Sequence, residues 1–250
     1  MSTDDFNNIE CFFFDLDGTL LNISDQIFEQ EYTKLLVNHF IDVFTPGEFL
    51  DYFMTSVEAL MKHNDYENYV IESFLSKFSE LSGMGRDDAW NRLHEFYSNN
   101  FGQLQKYVIE SPVSKSLIKS LESRGKKIVL ATNPVFPEIA TRQRVKWANL
   151  DYENDFIFIP HISNSNAVKP DPQYYQNLLD IVNVPAEKIL MVGNDFLYDG
   201  SASLVGIKTW IIDNNRSHLE YKDKLQIDYE GSLEDLLIRI NSMDKLTGES

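Results

Sequence analysis

The sequence predicts an α/β protein: a doubly wound, Rossmann-like parallel sheet with an all-helical segment inserted after its first strand. From about residue 107 onward, short apolar runs alternate with amphipathic helical segments, the order typical of a parallel sheet covered on both faces. An earlier apolar run, residues 10–15, supplies one more strand, and the stretch that follows it shows helical periodicity and almost no strand signal. We therefore predict an α/β core of residues 1–21 and 107–250 and a helical domain of residues 22–106.

Within the insertion, apolar and aromatic residues recur at spacings of three and four, the pattern of amphipathic helices. The predicted helices cover residues 28–43, 45–60, 69–83 and 90–101. The segment TPGE at 45–48 indicates a helix start at which Thr45 caps and Glu48 reaches back to it. Gly83 is expected to end the third helix. Aromatic stripes of this kind are typical of a helix-bundle core rather than of a cofactor pocket.

After the insertion, strands and helices alternate. The predicted strands are KKIVLAT (126–132), DFIFIP (155–160), ILMVG (189–193) and IKTWII (207–212). The predicted helices cover residues 111–125, 135–149 and 171–182, with a further helix between the last two strands. Ser111 and Asp171, each followed by a proline, mark two of these helix starts.

Polar side chains follow the predicted strands at their carboxyl ends. In chain order they are Asp15 and Asp17, Thr132 and Asn133, Lys169, and Asp195 with Asp199. Any one of them alone is typical of a turn or a cap. Because ligands bind at the carboxyl ends of the strands in an open α/β sheet, the convergence of all of them at one edge predicts a functional site.

The residue types of this site favour phosphoryl transfer. Two carboxylates about 4 Å apart repel by roughly 4 kcal/mol at an effective dielectric near 20, so the aspartates need a cation, and oxygen donors suit Mg²⁺. A carboxylate attacks at neutral pH without a base, since its reference pKa is about 3.9. Lys169 would share in neutralising the phosphoryl oxygens, and Gly18 leaves the backbone open where a phosphate docks. One of the first two aspartates is thus expected to attack and the other to handle the proton.

At these residues the sequence resembles the haloacid dehalogenase superfamily of phosphohydrolases. The motifs that carry the resemblance are Asp15-Leu16-Asp17-Gly18-Thr19, Thr132, Lys169-Pro170, and Asp195 with Asp199 after Gly193. They stand in the family's order with family-like spacing. The helical cap that the family inserts after its first motif corresponds to residues 22–106, so the resemblance covers essentially the whole chain.

The resemblance implies a catalytic role for four side chains. Asp15 would be the nucleophile that forms an aspartyl-phosphate. Asp17 would protonate the leaving oxygen and then deprotonate the attacking water, and its presence separates phosphohydrolases from the dehalogenases of the superfamily. Thr132 and Lys169 would hold the phosphoryl group.

The resemblance also implies a substrate-binding set and a metal-binding set. The implied substrate-binding residues are Asp15, Leu16, Asp17, Thr132, Asn133 and Lys169. The implied Mg²⁺ ligands are Asp15, the backbone carbonyl of Asp17, Asp195 and Asp199, the last directly or through water. The sequence departs from the pattern at Asn194, where many members place the acid directly after the glycine, and this leaves the division of metal binding between Asp195 and Asp199 open.

Composition limits the partners. A formal net charge of −17 argues against sequence-independent binding to nucleic acid or anionic lipid, both of which need a basic face. The single cysteine, Cys11, excludes an internal disulfide. The acidic start, MSTDDFNNIE, does not resemble a secretory signal, and no apolar run reaches membrane-spanning length. We expect a soluble, cytoplasmic enzyme acting on a small phosphorylated metabolite; the substrate and the oligomeric state stay open.

Three alternatives stay open beside a phosphatase. A phosphomutase of the same superfamily needs the same catalytic groups and differs in the cap. A signalling receiver domain also clusters aspartates on an α/β sheet, but its phosphoacceptor lies on a later strand and it needs no helical insertion. A third alternative is a non-catalytic, phosphate-binding protein that keeps the fold.

Overall fold

The computed structural model describes residues 4–23 and 25–243. The ends of the predicted core, 1–3 and 244–250, and residue 24 of the predicted helical domain lie outside the described residues, as does the beginning of the acidic amino-terminal segment. Within the described ranges, no helix is both long enough and apolar enough to cross a membrane.

The described residues form a central parallel sheet and a small antiparallel pair. The strands are Cys11–Phe14 (β1), Asn22–Ile23 (β2), Val108–Ile109 (β3), Lys127–Leu130 (β4), Ile189–Gly193 (β5), Lys208–Ile212 (β6) and Tyr229–Gly231 (β7). The parallel sheet has the order β4-β1-β5-β6-β7, so β1 lies between β4 and β5 with Cys11 opposite both Lys127 and Ile189. This arrangement confirms the predicted α/β fold class.

Helices cover both faces of the sheet. They are Asp4–Asn7 (α1), Asp25–Phe40 (α2), Pro46–Met61 (α3), Ile71–Ser82 (α4), Arg86–Asn99 (α5), Pro112–Glu122 (α6), Glu138–Trp147 (α7), Pro172–Val182 (α8) and Leu233–Met243 (α9). Successive residues of a strand point to opposite faces. Phe12 and Phe14 accordingly join the larger hydrophobic cluster with α6, α7 and α9, whereas Cys11 and Phe13 join the smaller one with α8. Burial on both faces explains why β1 is apolar throughout.

The helical segment leaves the core after β2 and returns through β3, which pairs antiparallel with β2. Thr45 and Glu48 form the predicted capping box at the start of α3, and Gly83 ends α4 with a φ of +70°, which favours glycine. The division into two domains at the predicted boundaries stays a prediction.

The inserted helices contact the core at several places, among them the following two. Tyr32 of α2 and Tyr97 of α5 share a hydrogen bond of 2.7 Å, and both rings pack against Phe136 in the loop before α7. On another side, the amide of Val70 donates to the carbonyl of Ser165 at 2.8 Å. The aromatic stripes therefore form the interior of the insertion and also its packing contact with the core.

Two predicted elements are wrong in part. The apolar run 155–160 is not a strand: Phe158 makes only an isolated bridge to Val129. The run contacts β4 through two backbone hydrogen bonds and then reaches Pro160, which has no N–H to extend the ladder. The helix predicted between the last two strands is a 3₁₀ helix, Gly200–Val205. The other 3₁₀ helices of the described chain are Phe101–Tyr107, Ala186–Lys188 and Leu219–Tyr221.

Candidate active site

A cleft of about 190 Å³ lies at the carboxyl edge of the parallel sheet. The predicted side chains that line it are those of Asp15, Asp17, Thr132, Asn133, Lys169, Asp195 and Asp199. Leu16 is the exception, because its side chain is fully buried in the larger hydrophobic cluster. The topology thus brings together seven of the eight predicted side chains, and only the backbone of Leu16 is left to serve a substrate.

Lys169 is the buried cation of the cleft. Its side chain is only 1% exposed, and its ammonium group donates to Asp15 Oδ1 at 3.0 Å and to Asp199 Oδ1 at 2.6 Å. Burial alone would lower the pKa of Lys169, but the two carboxylates raise it well above its usual value. The two carboxylates therefore favour the charged form of the lysine. Its backbone N–H donates to Asn133 Oδ1, which gives Asn133 a role in holding this loop.

Asp15 follows β1 directly, and its amide donates to the carbonyl of Val192 on the neighbouring β5. Burial raises the pKa of Asp15 to about 7, Lys169 opposes that rise, and the nearby Asp199 adds to it. Burial likewise raises the pKa of Asp199, against the effect of Lys169. One lysine thus offsets only part of the negative charge that the site buries.

Asp17 also lines the cleft, and it pairs with a different cation from Asp15 and Asp199. Its Oδ2 accepts a hydrogen bond from Nη1 of Arg144, while its Oδ1 is buried without a partner among the described residues. Arg144 comes from α7, lines the cleft and is 1% exposed. Arg144 is not among the residues predicted from the sequence. Its spacing could have identified it as buried, since it stands four residues after Ala140 and three before Trp147 on the buried face of the helix.

The two acids after β5 have different surroundings. Asp199 turns toward Lys169 and packs against Gly193, where an added Cβ would lie 2.0 Å from Asp199 Oδ2. Asp195 turns the other way: its Oδ1 accepts from the amides of Leu197 and Tyr198, at 2.8 and 2.7 Å.

Asp195 Oδ2 in turn lies 2.7 Å from Nδ1 of His218, a histidine that is not among the predicted site residues. Asn194, the departure from the family pattern, bonds Thr19 and the carbonyl of Asn215, and it lies so close to Gly18 that a Cβ there would meet its side-chain nitrogen at 2.7 Å. Asn194 therefore ties the loop after β5 to the first motif.

Thr132 is buried two residues beyond the end of β4 and also lines the cleft. Its carbonyl accepts a hydrogen bond of 2.8 Å from the hydroxyl of Tyr174, a residue of α8. Because the carbonyl is engaged in this way, the backbone is held at the position where the threonine side chain reaches the cleft. Thr132 thus reaches the cleft, and its role in holding a phosphoryl group stays a prediction.

The donor set fits Mg²⁺ in its chemistry. The side chains are carboxylates, the ligands that Mg²⁺ prefers. Burial raises the pKa values of Asp15 and Asp199, so their charged forms carry a cost that a divalent cation would offset. No group of three or more Asp, Glu, His or Cys side chains is already gathered as a metal site within residues 4–23 and 25–243. Both oxygens of Asp195 have protein partners, so its assignment as a ligand stays a prediction.

Fold and site together define a hydrolase. The chain belongs to the haloacid dehalogenase-like hydrolase family, whose model matches residues 9–202. Among curated proteins, the chain is 23% identical over 242 residues to Pyrophosphatase PpaX of Bacillus cereus (strain G9842), with 95% of this chain and 99% of the relative covered. It is 24% identical over 238 residues to Pyrophosphatase PpaX of Bacillus mycoides (strain KBAB4), with 93% and 99% covered.

Two solved structures show the same fold. A predicted phosphoglycolate phosphatase from Haemophilus somnus 129PT superposes with a TM-score of 0.58 at 14% identity, covering 92% of this chain and 97% of that one. A putative beta-phosphoglucomutase from Thermotoga maritima gives a TM-score of 0.56 at 20% identity, covering 95% and 100%. These likenesses support the α/β fold.

Proposed function

We propose that this enzyme is a Mg²⁺-dependent phosphatase that hydrolyses a small phosphomonoester through an aspartyl-phosphate on Asp15. The observation that carries the proposal is the buried Lys169, whose ammonium group bonds Asp15 and Asp199 in a cleft that Asp17 also lines. A lysine in this position would draw phosphoryl oxygens toward the attacking carboxylate.

In the first step, an oxygen of Asp15 attacks the phosphorus and the bond to the leaving oxygen breaks. Oδ1 of Asp15 is engaged by Lys169, whereas Oδ2 has no hydrogen bond to a described residue, so Oδ2 is the attacking atom. Asp17 acts as the general acid of this step and gives a proton to the leaving oxygen. Thr132 and Lys169 hold the phosphoryl oxygens during the transfer.

In the second step, a water attacks the phosphorus of the aspartyl-phosphate. Asp17 is now a carboxylate, takes a proton from this water and returns to its protonated form. The bond between Asp15 and phosphorus breaks, which releases inorganic phosphate and restores the free carboxylate. The sum of the two steps is the hydrolysis of one phosphomonoester by one water.

Asp15, the backbone carbonyl of Asp17, Asp199 and Asp195 would hold Mg²⁺. When bound, the ion supplies positive charge that offsets the repulsion between the carboxylates and an anionic phosphate. Lys169 alone cannot do so, because it already faces two carboxylates.

The cleft favours a small substrate. Its volume is about 190 Å³, and the described residues that line it belong to the predicted core segments, with Val135, Phe136 and Tyr198 as the larger walls. We propose that residues 22–106 form the cap and that it acts by seating on Phe136 rather than by filling the cleft. A phosphomutase is the alternative within the superfamily, and the products formed from hexose phosphates distinguish it from a phosphatase.

The test is a substrate panel with metal-stripped protein, assayed with Mg²⁺ and with EDTA. p-Nitrophenyl phosphate, phosphoglycolate, inorganic pyrophosphate and several hexose phosphates cover the substrate classes named for the relatives and neighbours. We expect Mg²⁺-dependent phosphate release, absent in Asp15→Asn. Interconversion of hexose phosphates without phosphate release would instead identify a mutase.

A further inference from the structure

Arg144 is a buried cation to which the proposed reaction gives no role. The side chain is 1% exposed, and its guanidinium lies 4.2 Å from the centre of the Phe136 ring. Nη2 makes a long hydrogen bond of 3.4 Å to the hydroxyl of Thr141, one turn earlier on α7. Burying a guanidinium is costly unless it has a charged partner, and the one carboxylate that it contacts among the described residues is Asp17.

The ion pair with Arg144 balances the charge of Asp17 and also orients its carboxyl group. The hydrogen bond from Arg144 is the one that the Asp17 side chain accepts among the described residues, since Oδ1 has no partner. The Asp17 side chain has a relative exposure of 34%, but its Oδ1 is buried, so water reaches only part of the carboxyl group. Water does not fix the direction of a carboxyl group, whereas a planar guanidinium on a packed stem does.

The two cations of the cleft are used separately. Lys169 binds Asp15 and Asp199, the carboxylates on the nucleophile's side, and Arg144 binds Asp17 alone. No described carboxylate bridges the two cations. This separation matches the two tasks of the proposed reaction. Lys169 neutralises charge where the phosphoryl group is transferred, and Arg144 orients Asp17, which carries the proton.

The residues that support Arg144 also contact the helical insertion. The Phe136 ring beneath the guanidinium packs against Tyr32 and Tyr97, with ring centres 5.7 and 6.3 Å away. Gln143, next to Arg144 on α7, donates to the carbonyl of Tyr97 at 2.7 Å. A shift of the insertion would therefore move the support on which the arginine rests.

We propose that Arg144 is the positioning residue for Asp17 and holds its carboxyl group toward the leaving-group oxygen. Arg144 is in turn supported by Phe136, against which Tyr32 and Tyr97 of the inserted helices pack. The inference rests on the proposed function, since it assigns a positioning residue to that reaction. Arg144 acts through Asp17 and does not contact the reacting atoms. The competing explanation is that the ion pair only stabilises the fold.

The test compares Arg144→Met with Arg142→Met, a matched control. Arg142 lies on the same helix two residues away, is 41% exposed, and pairs with Glu138 and Glu153 outside the cleft. For a substrate with an alkoxide leaving group, Arg144→Met should lower kcat by about 10- to 100-fold, part of the 10²- to 10⁴-fold that acid–base catalysis contributes. KM should stay within about twofold, because phosphoryl binding depends on Lys169 rather than on Arg144. Arg142→Met should leave both parameters unchanged.

A second comparison asks whether the effect passes through Asp17. In an Asp17→Asn background, Arg144→Met should add no further loss of kcat, since residues that act as a unit are not additive. Arg144→Lys keeps the charge but not the planar fork, so its kcat should fall between wild type and Arg144→Met, and it carries the test if the methionine variant does not fold.

The outcomes separate the two proposals. An active wild type in which Arg144→Met or Arg144→Lys behaves like Arg142→Met would overturn the positioning role alone. So would an equal loss of kcat from Arg144→Met with and without Asp17. A wild type without phosphatase activity on the panel would instead refute the proposed function.

Discussion

Replacing Asp17 by asparagine separates the two steps of the proposed reaction. p-Nitrophenolate leaves without a proton, so Asp17→Asn should still be phosphorylated by p-nitrophenyl phosphate. Hydrolysis of the aspartyl-phosphate needs the base whatever the leaving group was, so turnover should fall by about 10²- to 10⁴-fold. Stopped-flow absorbance should therefore show a burst of roughly one p-nitrophenolate per enzyme followed by slow release, the fingerprint of a covalent intermediate.

The same substitution has a stability cost that the structure allows us to estimate. Asparagine leaves Arg144, which is 1% exposed, without a charged partner. Breaking a buried ion pair costs about 3–5 kcal/mol, but Asp17 is 34% exposed and asparagine still accepts a hydrogen bond, so we expect about 2 kcal/mol. For a chain of this size that is a Tm lower by about 4–8 °C. Glu138→Gln removes the exposed partner of Arg142 and, as the control, should leave the Tm unchanged.

The kinetic and thermal results have different consequences. A folded, metal-binding Asp17→Asn with neither burst nor turnover would remove Asp17 from the second step and leave it a loop-supporting role. A burst with wild-type turnover would show that another group activates the water. An unchanged Tm would contradict the estimate for the ion pair but not the mechanism.

Other predictions follow from the same cluster. Turnover should be lost in EDTA after the enzyme is stripped of metal and should return with Mg²⁺. Ca²⁺ should inhibit, because it does not keep octahedral geometry. Full turnover in EDTA would exclude the metal role. Asp15→Asn should abolish turnover yet raise the Tm of the metal-free protein. Because the folded pKa of Asp15 is raised to about 7, the protein loses stability as the pH rises from about 4 toward 7, and the loss then levels off. The Tm gain should therefore be larger at pH 8 than at pH 5, and a gain independent of pH would contradict this. Gly193→Ala should lower activity at least tenfold in a folded protein, since the new Cβ would displace the carboxylate of Asp199, whereas Gly47→Ala, at a position with open space, should have no effect.

Much of the fold was predictable because local chemistry and the overall architecture agree. The capping box of Thr45 and the Asp171 cap followed by proline are complete within four residues, and both form as predicted. The strand ILMVG forms with its predicted bounds because every residue in it is buried. The run 155–160 is also mostly apolar, but it makes only an isolated bridge to β4 and ends at Pro160. Its position beside β4 is set by tertiary structure.

The site was predictable in its members but not in its pairings. Topology alone places Asp15, Lys169 and Asp199 at one edge of the sheet. That Arg144 pairs with Asp17 depends on the packing of α7, whose arginines look alike in sequence although one is buried and another exposed. The contact between His218 and Asp195 depends on a loop in which His218 has a φ of +50°, a conformation that the local sequence does not predict.

The central claim is that Asp15 becomes phosphorylated, and borohydride trapping tests it most directly. Asp17→Asn would be mixed with p-nitrophenyl phosphate and Mg²⁺, quenched in acid during the slow phase and treated with borohydride, which reduces an aspartyl-phosphate to homoserine. Peptide mass spectrometry should find homoserine at position 15, and none should form without substrate or in the Asp15→Asn, Asp17→Asn double variant. Homoserine at another aspartate, or an unmodified Asp15 after a full burst of p-nitrophenolate, would contradict the assignment of the nucleophile.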